Sequence, residues 1–140
     1  MKKAFFLFIL NLFIISGCDV VGSYTFIIEN STQETITLKF VNKRQNEVDN
    51  KRLGYDKEEV ILLPKEEKTV RIVDTPINSR AHDCLTDHGI AFFTYLVFET
   101  YVNGVKLDKQ LWQAENWTYN KKSDWTAEYH MTITNEMIEK

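Results

Sequence analysis

The chain has 140 residues, with 17 Lys and Arg against 20 Asp and Glu, for a net charge of −3 at pH 7. This length suits one domain, and an acidic balance without a basic cluster argues against nucleic acid as a partner. An aromatic content of 13%, with no repeats and no biased composition, excludes a disordered or fibrous chain.

The N-terminus has the pattern of a cleaved export signal. Lys2 and Lys3 precede a run of twelve mostly apolar residues, 4–15. A membrane-spanning helix needs about 20 apolar residues, so this run is too short to cross a bilayer and has the length of a signal-peptide core. The run ends in Ile15-Ser16-Gly17-Cys18, which resembles the lipobox of bacterial lipoproteins.

The lipobox resemblance implies how the N-terminus is processed. Residues 1–17 would be removed, and the Cys18 thiol would carry a thioether-linked diacylglycerol, with a further acyl chain such as palmitate on the new amino group. Two or more acyl chains give stable membrane attachment, whereas one gives only marginal binding. The expected location is the cell envelope, on the extracytoplasmic side of a bacterial membrane, with the leaflet left open. The alternative is an ordinary secretory signal followed by a chance cysteine.

Cleavage would leave a short tether and a single domain. Residues 18–22 would be the lipidated cysteine and the tether, and 23–140 the domain. The mature chain has 15 basic and 20 acidic side chains, for a net charge of −5, and its second cysteine, Cys84, has no partner for a disulfide. Four extended residues, 19–22, reach about 14 Å at most. The domain is therefore expected to sit against the lipid surface.

Alternation of apolar and polar residues predicts strands in the first half of the domain. Strands are expected at 24–28 and 36–40, with a turn at Asn30-Ser31-Thr32-Gln33 between them. Residues 42–58 are polar and charged, as expected of a solvated loop. Two more strands, at 60–63 and 69–73, are predicted to pair across Pro64-Lys65-Glu66-Glu67.

The second half of the domain gives similar patterns. Residues 90–102 form the most apolar stretch and predict a central strand. Asn103-Gly104 is typical of a type I′ hairpin turn, which returns the chain along 105–109. The last strand places five side chains on one face: Trp125, Ala127, Tyr129, Met131 and Ile133. Residues 135–140 are expected to form a short helix or a tail.

About six or seven strands separated by turns predict an all-β fold, an antiparallel β-sandwich of immunoglobulin-like type, with an open β-barrel as the alternative. The chain combines the Cys18 lipobox, Asn30-Ser31-Thr32 after an aromatic strand, a Leu-Pro-Lys-Glu corner at 63–66 and a final Tyr-x-Met-Thr-Ile-Thr strand at 129–134. In this layout it resembles the small β-sandwich lipoproteins common in Bacteroidetes. Most such proteins have no assigned activity, so the resemblance implies location and fold rather than function.

His82, Cys84 and His88 lie within seven residues and could in principle bind zinc or form a Cys/His catalytic pair. The spacing matches no common zinc motif, and no oxyanion hole or orienting third group is evident. The favoured interpretation is a loop with two solvated histidines and a buried thiol. No enzyme motif occurs in the sequence, so we expect no catalytic activity, no metal and no cofactor.

The segment 110–125 contains all three tryptophans of the protein among polar residues. Flat aromatic rings beside amide and carboxylate groups can stack on sugars or anchor a protein partner. Trp112, Trp117 and Tyr119 are therefore candidate binding residues, although packing into the core is the alternative, whereas Trp125 is predicted to be core. The expected function is a membrane-anchored binding module for a protein or glycan. The alternatives are an enzyme without a local signature and an inhibitor of an extracytoplasmic enzyme.

Overall fold

Two four-stranded β-sheets form the fold in the computed structural model. The structure describes residues 22–41, 59–74, 80–84 and 96–139. The predicted signal segment, Cys18, the predicted loop at 42–58 and His88 lie outside these ranges. The strands are β1 (Ser23–Asn30), β2 (Ile36–Phe40), β3 (Glu59–Leu62), β4 (Glu67–Asp74), β5 (Phe98–Val102), β6 (Val105–Lys106), β7 (Thr118–Lys121) and β8 (Thr126–Ile133), followed by a short helix, α1 (Asn135–Ile138).

The first sheet has the order β4-β1-β8-β7 and the second β3-β2-β5-β6. The predicted all-β sandwich is confirmed. The described residues form eight strands, more than the six or seven predicted, because Thr118–Lys121 in the polar aromatic segment pairs with β8 at the edge of the first sheet. Among these strands every pairing is antiparallel except that of β1 with β8, which run parallel from Ser23 beside Thr126 to Asn30 beside Ile133.

The core lies between the sheets. Much of it consists of every second side chain of a strand, as the alternation of apolar and polar residues in the sequence predicts. On β1, Tyr24, Phe26 and Ile28 are buried. The same rule holds on β8, where four inward side chains are buried: Ala127, Tyr129, Met131 and Ile133. Phe26 stacks on Tyr129 with ring centroids 5.2 Å apart. Because β1 has a strand on each side, its inward row lies near the middle of the sheet.

The predicted pairing of the strands at 60–63 and 69–73 is wrong. β3 pairs with β2 and β4 with β1, so the corner between β3 and β4 carries the chain from one sheet to the other. Lys65 has a φ of 63°, and the Glu66 N–H donates to the Leu63 carbonyl at 3.1 Å. Alternation showed that both strands bury one face, but it contains no information about which neighbour each strand joins.

The predicted turn at Asn103-Gly104 is confirmed. Asn103 and Gly104 have φ values of 48° and 82°, as a type I′ turn requires, and join β5 to β6. The return strand is shorter than predicted, at two residues. The part of the predicted central strand at 90–95 lies outside the described residues. Of the two alternatives predicted after the last strand, a short helix or a tail, the structure has the helix, α1.

Candidate functional site

A buried asparagine organises the pole of the sandwich where β1 ends. The Asn30 side chain is fully buried, and its Nδ2 donates to the carbonyls of Glu34 at 2.8 Å, Leu63 at 3.0 Å and Leu62 at 3.2 Å. Its Oδ1 accepts from the N–H of Thr32 at 3.1 Å and from the Thr32 hydroxyl at 2.7 Å. One side chain therefore ties the β1–β2 turn to the β3–β4 corner. We call this end of the sandwich the Asn30 pole.

An open recess of about 560 Å³ lies at the Asn30 pole. The side chains around it come from the β1–β2 turn, the β5–β6 turn and α1: Gln33, Glu34, Val102, Asn103, Asn135, Ile138 and Glu139. Three amides and two carboxylates thus face one space, with an aliphatic side chain from β5 and another from α1. Such a lining can donate to and accept from hydroxyl, amide and ammonium groups.

Hydrogen bonds hold the walls of the recess in place. The Asn103 N–H donates to the Thr35 carbonyl at 2.9 Å, its Oδ1 accepts from the Thr35 N–H at 3.0 Å, and its Nδ2 donates to the Glu34 carboxylate. Lys109 Nζ donates to the Glu139 carbonyl at 2.7 Å, next to the C-terminus of α1, where carbonyls lack helical partners. The recess is therefore preorganised by its own turns.

The recess could not be predicted from the sequence. Its residues come from three segments, 33–34, 102–103 and 135–139, and each of them reads locally as a turn or a terminal helix. The recess could have been predicted only from the topology, because loops at the same end of a sandwich lie close together and often bind ligands. The topology could be used only after the strands had been assigned to sheets.

The structure places Trp117, a predicted binding residue, in the core. Its side chain is 5% exposed, and its ring meets that of Phe26 edge-on with centroids 5.5 Å apart. The indole Nε1–H donates to the Trp112 carbonyl at 3.1 Å, so the polar end of the ring is also satisfied inside the protein. A ring held in this way has almost no surface to offer a partner.

The other two predicted binding residues, Trp112 and Tyr119, are half-buried and pack against the core. The Tyr119 ring lies 5.4 Å from that of Tyr129, and its buried hydroxyl has no hydrogen-bond partner among the described residues. Neither side chain lines the recess. A binding role for Trp112 and Tyr119 stays a prediction.

Trp125 was predicted to be core and is not. It is half-buried, precedes β8 and lies outside the buried cluster. Its carbonyl accepts from the Ser23 N–H at 2.9 Å, so Trp125 lies where the chain enters the fold, at the end of the sandwich opposite the Asn30 pole. We call this end the tether pole. The strict alternation of β8 ends at Ala127, because Trp125 belongs to the turn before the strand.

His82 and Cys84 lie close together at the tether pole. The buried Cys84 thiol lies 3.9 Å from His82 Nε2, and it donates to the His82 carbonyl at 3.6 Å. Within the described ranges no three His, Cys, Asp or Glu side chains are grouped so that they could hold a metal ion. His88 lies outside those ranges, so the interpretation of the full His82, Cys84 and His88 cluster stays a prediction.

Two buried tyrosines fix the segment 80–84 to the first sheet. The Tyr24 hydroxyl donates to the His82 carbonyl at 3.1 Å and accepts a hydrogen bond from the His82 backbone N–H at 3.2 Å. The Tyr129 hydroxyl accepts from the Cys84 N–H at 2.8 Å and donates to Asp83 Oδ1 at 3.3 Å. Burial raises the pKa of Tyr24 from 10.0 to about 12 and also raises the pKa of Tyr129. Both hydroxyls therefore remain protonated donors at neutral pH.

By its fold the protein is a two-sheet β-sandwich with a polar recess at one pole. Comparison with protein-family models, with curated proteins and with solved structures finds no match for this chain. In the part of the chain that the structure describes, no helix has the length and apolar character needed to cross a membrane.

Proposed function

We propose that the protein is a lipoprotein, attached to the extracytoplasmic side of a bacterial membrane by lipid on Cys18, and that its domain binds a protein or glycan at the Asn30 pole. The observation that carries this proposal is that the two ends of the sandwich differ. The strand that follows the proposed tether begins at one pole, and the preorganised recess lies at the other.

The distance between the poles follows from β1. This strand begins at Ser23, directly after the tether, and ends at Asn30. Eight residues in a strand span about 23 Å at roughly 3.3 Å per residue. A domain attached through Cys18 would therefore present the recess away from the bilayer, where a partner can approach it.

The chemistry of the Asn30 pole supports a partner that is larger than a small molecule. The recess volume lies within the range of about 300–1,000 Å³ that is usual for ligand sites, but the recess is open rather than enclosed. Two large apolar side chains are exposed at the same pole, Leu63 at 55% and Val105 at 58%. Polar groups flanked by exposed apolar side chains are typical of surfaces that bind proteins or glycan chains.

The anchor is tested by replacing Cys18 with alanine. Because only the thiol can form the thioether, we expect Cys18→Ala to lose all labelling by a clickable fatty acid and to accumulate as the precursor that retains residues 1–17. A Cys84→Ala variant is the matched control and should be labelled like the wild type, because the Cys84 thiol is buried. Labelling that persists without Cys18 would contradict the anchor.

The binding surface is tested by photo-crosslinking in cells. A photoreactive amino acid replaces Gln33 in the recess, Glu115 beside the aromatic segment, or Thr69 on β4, all of which are exposed. We expect covalent adducts from position 33 and none from 115 or 69. Protease and glycosidase treatment of the adduct then separates a protein from a glycan partner. Adducts at position 115 alone would show that the partner binds on the Trp112 side of the domain and would contradict binding at the Asn30 pole. Equal adducts at all three positions would contradict a specific binding surface.

A further inference from the structure

We propose that the tether pole rests on the lipid bilayer, with the Trp125 ring at the membrane interface. The inference depends on the anchor proposed above and adds the orientation of the domain and the surface that contacts lipid. Trp125 is half-buried and, among the described residues, belongs neither to the buried core cluster nor to the lining of the recess.

The proposed tether allows only a short distance between the lipid on Cys18 and Trp125. The Ser23 N–H donates to the Trp125 carbonyl at 2.9 Å, which fixes the start of β1 beside this residue. Gly22 is already buried in the fold, so only residues 19–21 can extend toward Cys18. Three extended residues span about 10 Å. This reach is too short to lift the tether pole clear of the headgroup region.

The side chains near the start of β1 have the chemistry expected of a contact with a membrane interface. Tryptophan is enriched at membrane interfaces because its ring is apolar and its indole N–H can stay hydrated. Lys121 at the end of β7 and Lys122 in the turn before Trp125 are both exposed. The backbone carbonyl of Asp124 accepts from the Ala81 N–H at 2.8 Å, which brings the exposed Arg80 to the same turn. Long basic side chains near a bilayer can reach its phosphate groups.

Electrostatic attraction to lipid contributes less to this contact than the Trp125 ring does. Lys121 pairs with Asp124 at 2.9 Å, and Lys122 pairs with Glu128 at 2.8 Å. These ion pairs cancel most of the positive charge that would attract anionic lipid. The Trp125 ring is therefore the main contact, and we expect the orientation to depend little on the anionic lipid content.

The orientation is tested with the lipidated mature protein, purified in detergent and reconstituted into phosphatidylcholine vesicles with brominated acyl chains. Bromine quenches tryptophan fluorescence on close approach. We expect wild type and Trp112→Phe to be quenched relative to unbrominated vesicles, and Trp125→Phe to lose most of the quenching. Addition of phosphatidylglycerol should change the quenching little.

Flotation on a density gradient separates the two proposals. Protein that does not float with the vesicles contradicts the anchor, and the inference with it. Protein that floats, while Trp125→Phe is quenched as much as the wild type, overturns the orientation alone. Circular dichroism of each variant before reconstitution confirms that the substitution has not unfolded the domain.

Discussion

Replacing Trp117 by alanine is expected to lower the free energy of unfolding by about 3–5 kcal/mol, the usual cost of truncating a large buried aromatic side chain. The ring fills space beside Phe26 in the core, and its loss also removes the hydrogen bond from the indole Nε1–H to the Trp112 carbonyl. Urea unfolding followed by circular dichroism measures the change, which should shift the midpoint without altering the slope.

Two further variants test whether the loss of stability is specific to the buried Trp117 ring. Trp112→Ala removes a half-buried ring but leaves the backbone carbonyl in place, so we expect a loss of about 1 kcal/mol. Trp117→Phe keeps an aromatic ring in the core but removes the N–H donor and part of the ring volume, so its cost should be lower than that of alanine, at about 1–2 kcal/mol. Equal, small losses at positions 112 and 117 would contradict the core placement of Trp117 and restore it as a binding residue.

The second large effect is expected at Asn30. Asn30→Ala removes the fully buried Nδ2 donor to three carbonyls and the Oδ1 acceptor for the buried Thr32. Buried polar groups without partners are costly, and we expect a loss of about 2–4 kcal/mol in the free energy of unfolding. The Asn30 pole should also lose protection from amide hydrogen exchange, because the turn and the corner are no longer joined.

Ser31→Ala provides the matched control in the same turn. The Ser31 hydroxyl donates to the Ile133 carbonyl at 2.9 Å, but the Ser31 backbone N–H donates to the same carbonyl at 3.0 Å. Because that acceptor stays satisfied, the loss should be only about 0.5–1 kcal/mol. If Asn30→Ala and Ser31→Ala lower the free energy of unfolding by the same amount, the buried amide of Asn30 does not stabilise the Asn30 pole.

The same asparagine shows that a short motif can mean structure rather than modification. Asn30-Ser31-Thr32 has the sequence of a glycosylation site, yet both Asn30 and Thr32 are fully buried. The hydroxyl and the amide bond to each other and to the backbone, as Asx and Ser/Thr turns do. The folded domain cannot present this amide to an enzyme.

Strands with strict alternation could be predicted from the sequence, and their pairing could not. β1, β2 and β8 lie within one or two residues of the predicted positions, because one face of each is buried and the other is not. β7 was missed because Thr118–Lys121 is short, polar and at an edge, so its residues bury little surface. The joining of β3 to β2 and of β4 to β1 depends on contacts between distant segments, which periodicity does not encode.

Composition also could not separate a buried tryptophan from an exposed one. Trp117 stands among polar residues, but those neighbours, such as Glu115 and Thr118, are exposed on the outside of the segment. The indole N–H finds a carbonyl only five residues away, so the ring enters the core without an unsatisfied donor. A segment rich in Trp, Asn and Gln therefore predicts a binding surface and a core-closing loop equally well.

The parallel pairing of β1 with β8 has a mechanical consequence. A pull on a partner bound at the Asn30 pole, resisted by lipid at the other end, would run along β1 from Ser23 to Asn30. The hydrogen bonds of β1 to β4 and β8 lie across that direction. They would carry the load together in shear, rather than opening one after another from an end. With the proposed anchor on Cys18, the strand that follows the tether would be held on both sides, in the arrangement that best resists extraction by force.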